Sequence, residues 1–266
     1  MWCRVVLVLL LAAGMVVALP SHLVFVKFFK VGGTTVADVL GRLAERDHRD
    51  VCCDHFGCEV CYTHNAMFEW KKLGRAAFHP DAHVVTVLRD PIERELSRYY
   101  YNRAKGDRGA STTRLEKWAT RVTNEYTQTL GHGDVGAAKD ALDRHFALVG
   151  VTERMHEFMT ALGMMLGEPP QEMAYRSLKQ VVGRPTQDQV SERALAVLRI
   201  KLEKDVQVYQ HAKELFERQW MSTGDGDARN AYATELERAK PNATCEFHRH
   251  NGAAKLVGQD CLRARP

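Results

Sequence analysis

Residues 22–47 read HLVFVKFFKVGGTTVADVLGRLAERD. An apolar, β-favouring run breaks at Gly32-Gly33. It then turns helical, with Val36, Val39, Leu40 and Leu43 recurring at helix spacing. A strand running through a glycine turn into a helix is how proteins cradle phosphate. The glycines let backbone amides approach, and the helix N-terminus adds its dipole. Lys30 supplies a cation, and Thr34 and Thr35 supply hydroxyls. A triphosphatase loop carries Gly-Lys-Ser/Thr after its glycines. Here the lysine precedes them, and that tripeptide occurs nowhere in the chain.

A second turn follows HVVTVLRD. His83–Leu88 is near-continuously apolar, as buried parallel strands are, and Arg89-Asp90-Pro91 then opens a helical pattern. Arg89 offers a bidentate fork for an anion, and Ser97 lies about two helical turns on with a hydroxyl. A ligand with phosphates at two places would bridge the two turns. A third strand is expected in FALVGVTE from Phe146, followed by a helix burying Met155, Phe158, Met159 and Leu162. A long helix is expected from Gln187 to Gln219, its seam formed by Leu195, Leu198, Leu202, Tyr209, Ala212 and Phe216. Asp205 falls on that seam and is expected to be buried and hydrogen-bonded, or to face a ligand. Strands alternating with helices predict an α/β fold with a mostly parallel central sheet flanked by helices.

The chain has 266 residues, 45% hydrophobic and 26% charged. That suits one domain with a full core. A net charge of +4 without basic stripes admits anionic ligands and leads us to expect no nucleic-acid partner. Arg4 followed by apolar residues from Val5 to Leu19 has the order of an export signal. As a helix this core spans about 22 Å, so both a cleaved signal peptide and a short signal-anchor fit. Six of seven cysteines follow it: Cys52, Cys53, Cys58, Cys61, Cys245 and Cys261. In an exported chain such a set reads as disulfides, with Cys245 and Cys261 tying down the tail. A zinc knuckle with His55 is the other reading of the CCDHFGCEVC segment. Asn242 opens a glycosylation triplet. The expected division is a leader at 1–20, a catalytic domain at 21–221, and a polar, loosely held tail at 222–266. Residues 104–116 are expected to form a mobile loop.

VFVKFFKVGGTTV together with VTVLRDPIERELSRYYYNR resembles the carbohydrate sulfotransferases that use 3′-phosphoadenylyl sulfate. The nearest in pattern are the Golgi heparan sulfate 2-O- and 6-O-sulfotransferases and the galactose 3-O-sulfotransferases. The second motif is complete in Arg89, Asp90, Pro91, Arg94, Ser97, Tyr99 and Tyr100. The first departs at Val31, where threonine is usual. The resemblance continues in blocks over most of residues 22–220. It implies a P-loop-like sulfotransferase fold and a sulfuryl transfer to a sugar hydroxyl that needs no metal. Lys30, Val31, Gly32, Gly33, Thr34 and Thr35 would hold the 5′-phosphosulfate, with Lys27 assisting. Arg89 and Ser97 would hold the 3′-phosphate, with Arg184 near it. Lys30 would neutralise the leaving oxygen. His64, in YTHNAMFEW, would be the base, with His55, Glu69 and His132 as alternatives. Gln128 and Thr129 would line the site, and Glu153 would order the strand end. The family also implies a Golgi lumenal, type II single-pass protein, or a secreted one, acting on a carbohydrate acceptor. A nucleotide kinase and a non-catalytic glycan-binding relative are the competing readings.

Overall fold

The computed structural model describes residues 20–51, 59–104, 114–178, 180–181, 184–240, 246–250 and 253–257. The central sheet is parallel throughout, in the order β2-β1-β3-β4. β1 is Leu23–Val26, β2 Val60–Cys61, β3 His83–Leu88 and β4 Leu148–Val151. Its strands are apolar because helices cover both faces. Phe25, Val26, Val85, Val87 and Val149 are fully buried. The single polar side chain of β3's interior, Thr86, donates its hydroxyl to the Val26 carbonyl at 2.8 Å, so its burial carries no unmet hydrogen bond.

α1, Gly33–Arg46, crosses from β1 to β2. It buries Val36, Val39, Leu40 and Leu43 on the expected stripe. α2, His64–Leu73, follows β2, and α3, Pro91–Ala104, follows β3. Asp90 starts α3 by accepting from the Ile92 and Glu93 amides at 3.0 and 2.9 Å. Its proline lacks an N–H in the first turn, where no intrahelical partner exists. Among the described residues three helices, α4 (Leu115–Ala119), α5 (Glu125–Gly131) and α6 (Val135–His145), lead to β4. α7, Met155–Leu166, packs back on the sheet. The chain steps from β1 outward to β2, then back past β1 to β3. The carboxyl ends of β1 and β3 therefore flank a topological switch point, where open α/β sheets bind ligands.

The expected long helix is two. α8 is Glu192–Lys201 and α9 is Glu203–Ser222, preceded by a short 3₁₀ turn at Gln187–Gln189. Asn124 causes the break. Its side-chain amide donates to the Lys201 carbonyl at 2.9 Å and accepts from the Asp205 amide at 3.0 Å. One residue from a distant loop thus caps both helix ends. The seam residues are all buried across the break. The described part of the segment after Met221 begins with a packed helix, not a loose tail. α10, Gly226–Ala239, is capped by Asp225, buries Leu236 and sends the Tyr232 hydroxyl to the Glu168 carbonyl at 2.7 Å. A second sheet, in the order β5-β6-β7, joins Gln180–Val181, Glu246–His250 and Ala253–Val257.

The expectation of a type II single-pass membrane protein is corrected. Among the described residues no helix is long and apolar enough to cross a membrane. Residues 1–19, on which that expectation was placed, lie outside the described residues, as do Cys52, Cys53, His55, Cys58, Asn242, Cys245, Cys261 and residues 105–113. Cys61 is buried on β2.

Candidate functional site

A cleft of about 610 Å³ opens at the carboxyl ends of β1 and β3. Of the residues expected to hold the donor or to act in catalysis, all but Val31 line it: Lys27, Lys30, Gly32, Gly33, Thr34, Thr35, His64, Arg89, Ser97 and Arg184.

The loop after β1 is shaped by two residues in the left-handed region. Lys30 has φ 61° and Gly32 φ 77°. The positive φ of Gly32 is what calls for glycine; a Cβ there would stand 2.8 Å from the Met155 methyl, the flexible end of a side chain that can give way. A Cβ on Gly33 would meet the Lys27 stem at 2.8 Å, so Lys27 crosses the loop where a larger residue would block it. Gly32 is the N-cap of α1 and supplies no side-chain hydrogen bond. The Thr35 amide bonds the Gly32 carbonyl at 2.9 Å, and the first-turn amides ahead of it have no intrahelical acceptor, which suits them to an anion.

Val31 is a correction. Its side chain is fully buried, and its contribution is a backbone carbonyl, which lies 2.7 Å from the Thr152 hydroxyl. The same hydroxyl is 3.1 Å from the Leu88 carbonyl, so Thr152 staples the first loop to the end of β3. Thr35 also differs from expectation. Its hydroxyl donates to the Arg176 carbonyl at 3.2 Å and accepts from the Leu178 amide at 3.3 Å. It therefore anchors the segment that brings Ser177, Leu178 and Arg184 over the cleft. The Lys30 ammonium lies 3.5 Å from the centre of the Tyr101 ring, a cation–π contact.

His64 is the first residue of α2, whose N-cap, Thr63, accepts from the Asn65 amide at 3.2 Å. Its ring stacks on Phe29, centroids 4.0 Å apart. Its Nδ1 lies 2.9 Å from the Lys27 carbonyl. A carbonyl only accepts, so Nδ1 carries the hydrogen, and the neutral ring keeps its lone pair on Nε2. The fold thus sets the tautomer a base at Nε2 requires. Glu69 pairs with Lys72 at 2.8 Å. Neither it, His132, Gln128 nor Thr129 lines the cleft. Thr129 is buried in α5.

At the other side Arg89 donates to the Lys30 carbonyl at 3.3 Å and to Glu93 at 3.4 Å. Arg184 reaches the same Glu93 oxygen at 2.7 Å. Two guanidiniums therefore share one carboxylate. Burial, and then the charge of Arg184, push the Arg89 pKa down, and Glu93 partly offsets this. A site with such an excess of positive charge favours an anion. The Tyr126 hydroxyl braces Arg89 at its backbone amide and carbonyl, both at 3.0 Å. Glu153 accepts from the Asp90 amide at 3.1 Å and from the Tyr209 hydroxyl at 2.8 Å, ordering the strand end as expected. Arg94, for all its place in the second motif, lies in the core. It is 1% exposed, 3.4 Å from Asp205 and stacked over Tyr126.

Sequence reading missed Phe29, Tyr101, Thr152, Met155, Ser177 and Leu178 as cleft residues. Tyr101 sits inside the quoted second motif, and its place one residue past the paired tyrosines was its signal. Ser177 and Leu178 carry no signal, since residues distant in sequence, Thr35 and Glu93 among them, bring their segment to the cleft. No family model matches the chain, and no curated protein matches it.

Proposed function

We propose that this chain transfers a sulfuryl group from 3′-phosphoadenylyl sulfate to a hydroxyl of a carbohydrate acceptor. The observation that carries the reading is the convergence on one cleft of a left-handed glycine loop with Lys30, an oriented His64, and the Arg89–Arg184 pair. The donor fits this arrangement in charge. Lys27, Lys30 and the α1 amides stand on one side for a 5′-phosphosulfate, and Arg89, Arg184 and Ser97 on the other for a 3′-phosphate.

The donor supplies an activated sulfuryl group with a phosphate as its leaving partner. Nε2 of His64 accepts the proton of the attacking sugar hydroxyl, whose oxygen forms the new bond to sulfur. Lys30 places its ammonium against the charge that grows on the bridging oxygen as the old sulfur–oxygen bond breaks. Such transfers need mainly positioning and charge neutralisation, so the lysine matters at least as much as the base. Phe29 holds the His64 ring in plane.

Calorimetric titration with adenosine 3′,5′-bisphosphate, the spent donor, tests this reading. Micromolar binding by the wild type, lost in Arg89→Ala and weakened in Lys30→Ala, is the expected result. A folded wild type that binds nothing overturns it and leaves a glycan-binding protein. Binding that appears only with magnesium, together with phosphoryl transfer from a nucleoside triphosphate, would favour the kinase.

A further inference from the structure

Glu93 does not itself line the cleft, but it pairs with two arginines that do. A carboxylate beside an anion site repels the ligand, yet this one lies between the two arginines that would bind it. Glu93 Oε2 is 2.7 Å from Arg184 Nη2 and 3.4 Å from Arg89 Nη2. The Glu93 backbone carbonyl is also 3.5 Å from Arg184 Nη1. The three side chains are 20–24% exposed.

The two arginines arrive by different routes. Arg89 is fixed at the end of β3 by Tyr126 and by the Lys30 carbonyl. Arg184 stands 91 residues from Glu93, in a stretch outside any helix or strand. Among the described residues its side chain hydrogen-bonds to Glu93. Two like charges brought together without a counter-ion separate, and the one on the looser segment moves. Arg89 has five N–H donors. One goes to Lys30 and one to Glu93, which leaves three for a ligand among the described residues.

We propose that Glu93 is a positioning residue: a shared counter-ion that holds Arg184 beside Arg89 as a preformed two-arginine fork for a phosphate monoester. The proposal rests on the donor reading for the identity of that monoester, the 3′-phosphate. It assigns to Glu93 the discrimination between a nucleotide that carries this phosphate and one that lacks it. Preorganisation of the fork outweighs the repulsion between Glu93 and the bound anion, because a displaced Arg184 forfeits a charge-assisted bidentate contact.

The test is titration of wild type, Glu93→Ala, Glu93→Gln and Arg184→Ala with adenosine 3′,5′-bisphosphate and with adenosine 5′-phosphate. Thermal unfolding in inorganic phosphate runs alongside. Glu93→Ala is expected to weaken the bisphosphate about tenfold and leave the 5′-phosphate within about twofold. Glu93→Gln, which keeps an acceptor oxygen, falls between. In the Arg184→Ala background, Glu93→Ala should have little further effect, since the two act as a unit. Tighter bisphosphate binding in Glu93→Ala would show that Glu93 competes with the ligand, and overturns the proposal. Equal losses for both nucleotides also overturn it. A wild type that binds neither nucleotide removes the donor reading alone. The fork is then judged by phosphate: stabilisation of wild type that vanishes in Glu93→Ala sustains it, and equal or absent stabilisation overturns it.

Discussion

The Arg89 guanidinium donates to the carbonyl of Lys30, 59 residues earlier, at 3.3 Å. The two turns of the cleft are therefore one mechanical unit. The residue expected to bind the far phosphate also props the loop expected to bind the near one. Arg89→Ala should thus damage both halves of the site. Arg89→Lys keeps the charge but cannot both reach Lys30 and fork an anion. We expect it to lose about 1.5–3 kcal/mol of bisphosphate affinity. A lysine variant that binds as the wild type does would show that charge alone suffices at this position.

His64 is held by the Lys27 carbonyl and the Phe29 ring, not by the ligand. Its replacement should leave donor binding intact and slow the chemistry. For His64→Ala we expect sulfate transfer to fall about 10²–10⁴-fold with the bisphosphate affinity unchanged. Phe29→Leu should give a smaller loss of the same kind. If His64→Ala transfers sulfate at the wild-type rate, another group is the base.

Asp205 accepts from the Tyr126 and Thr127 amides at 3.1 and 2.9 Å, from the Thr127 hydroxyl at 2.8 Å and from Arg94 at 3.4 Å. Removing its charge leaves Arg94 buried with less compensation. Asp205→Ala should cost about 3–5 kcal/mol in urea unfolding. Since Tyr126 braces Arg89, the folded fraction should also bind the bisphosphate less tightly. A loss under about 1 kcal/mol would mean that Glu95 and Glu125 can neutralise Arg94 alone.

His156 lies against α10, its Nε2 at 3.0 Å from the Ala233 carbonyl. Burial, and then Lys240, lower its pKa below the ordinary 6.5. The folded state thus favours the neutral ring, so the unfolded chain binds more protons as pH falls. Its contribution to stability is complete above about pH 6.5 and is lost as pH falls below that. His156→Gln should flatten the fall in unfolding midpoint between about pH 7 and 5. An unchanged slope would place the acid sensitivity elsewhere, for instance at His145, whose pKa burial also lowers.

Local patterns revealed the parts of this fold that local forces make. His83–Leu88 is bounded in the sequence by polar residues and Arg-Asp-Pro, and it forms a strand over that span. The seam containing Asp205 was legible because period alone places a residue on a helix face. What remained hidden depends on distant partners. β2 is two residues long and exists because β1 offers it a parallel edge. The interruption at Leu202 comes from Asn124, and nothing within Gln187–Gln219 announces it. The cleft behaves likewise. Lys30, Gly32, Arg89 and His64 could be named from motifs and from a family resemblance. The engagement of Thr35 with the Arg176–Leu178 backbone, and of Glu93 with Arg184, could not.

All four strands of the central sheet run the same way, and Pro20 precedes the start of β1, where its carbonyl lies 3.3 Å from Arg49. Pro20 therefore stands at the amino end of the sheet, opposite the carboxyl ends that carry the cleft. An affinity tag, a fluorophore or a sensor chip coupled there would hold the molecule with its mouth turned outward. A ligand flowing past would meet the mouth of the cleft and not the support, so surface-based binding measurements are best built from that end.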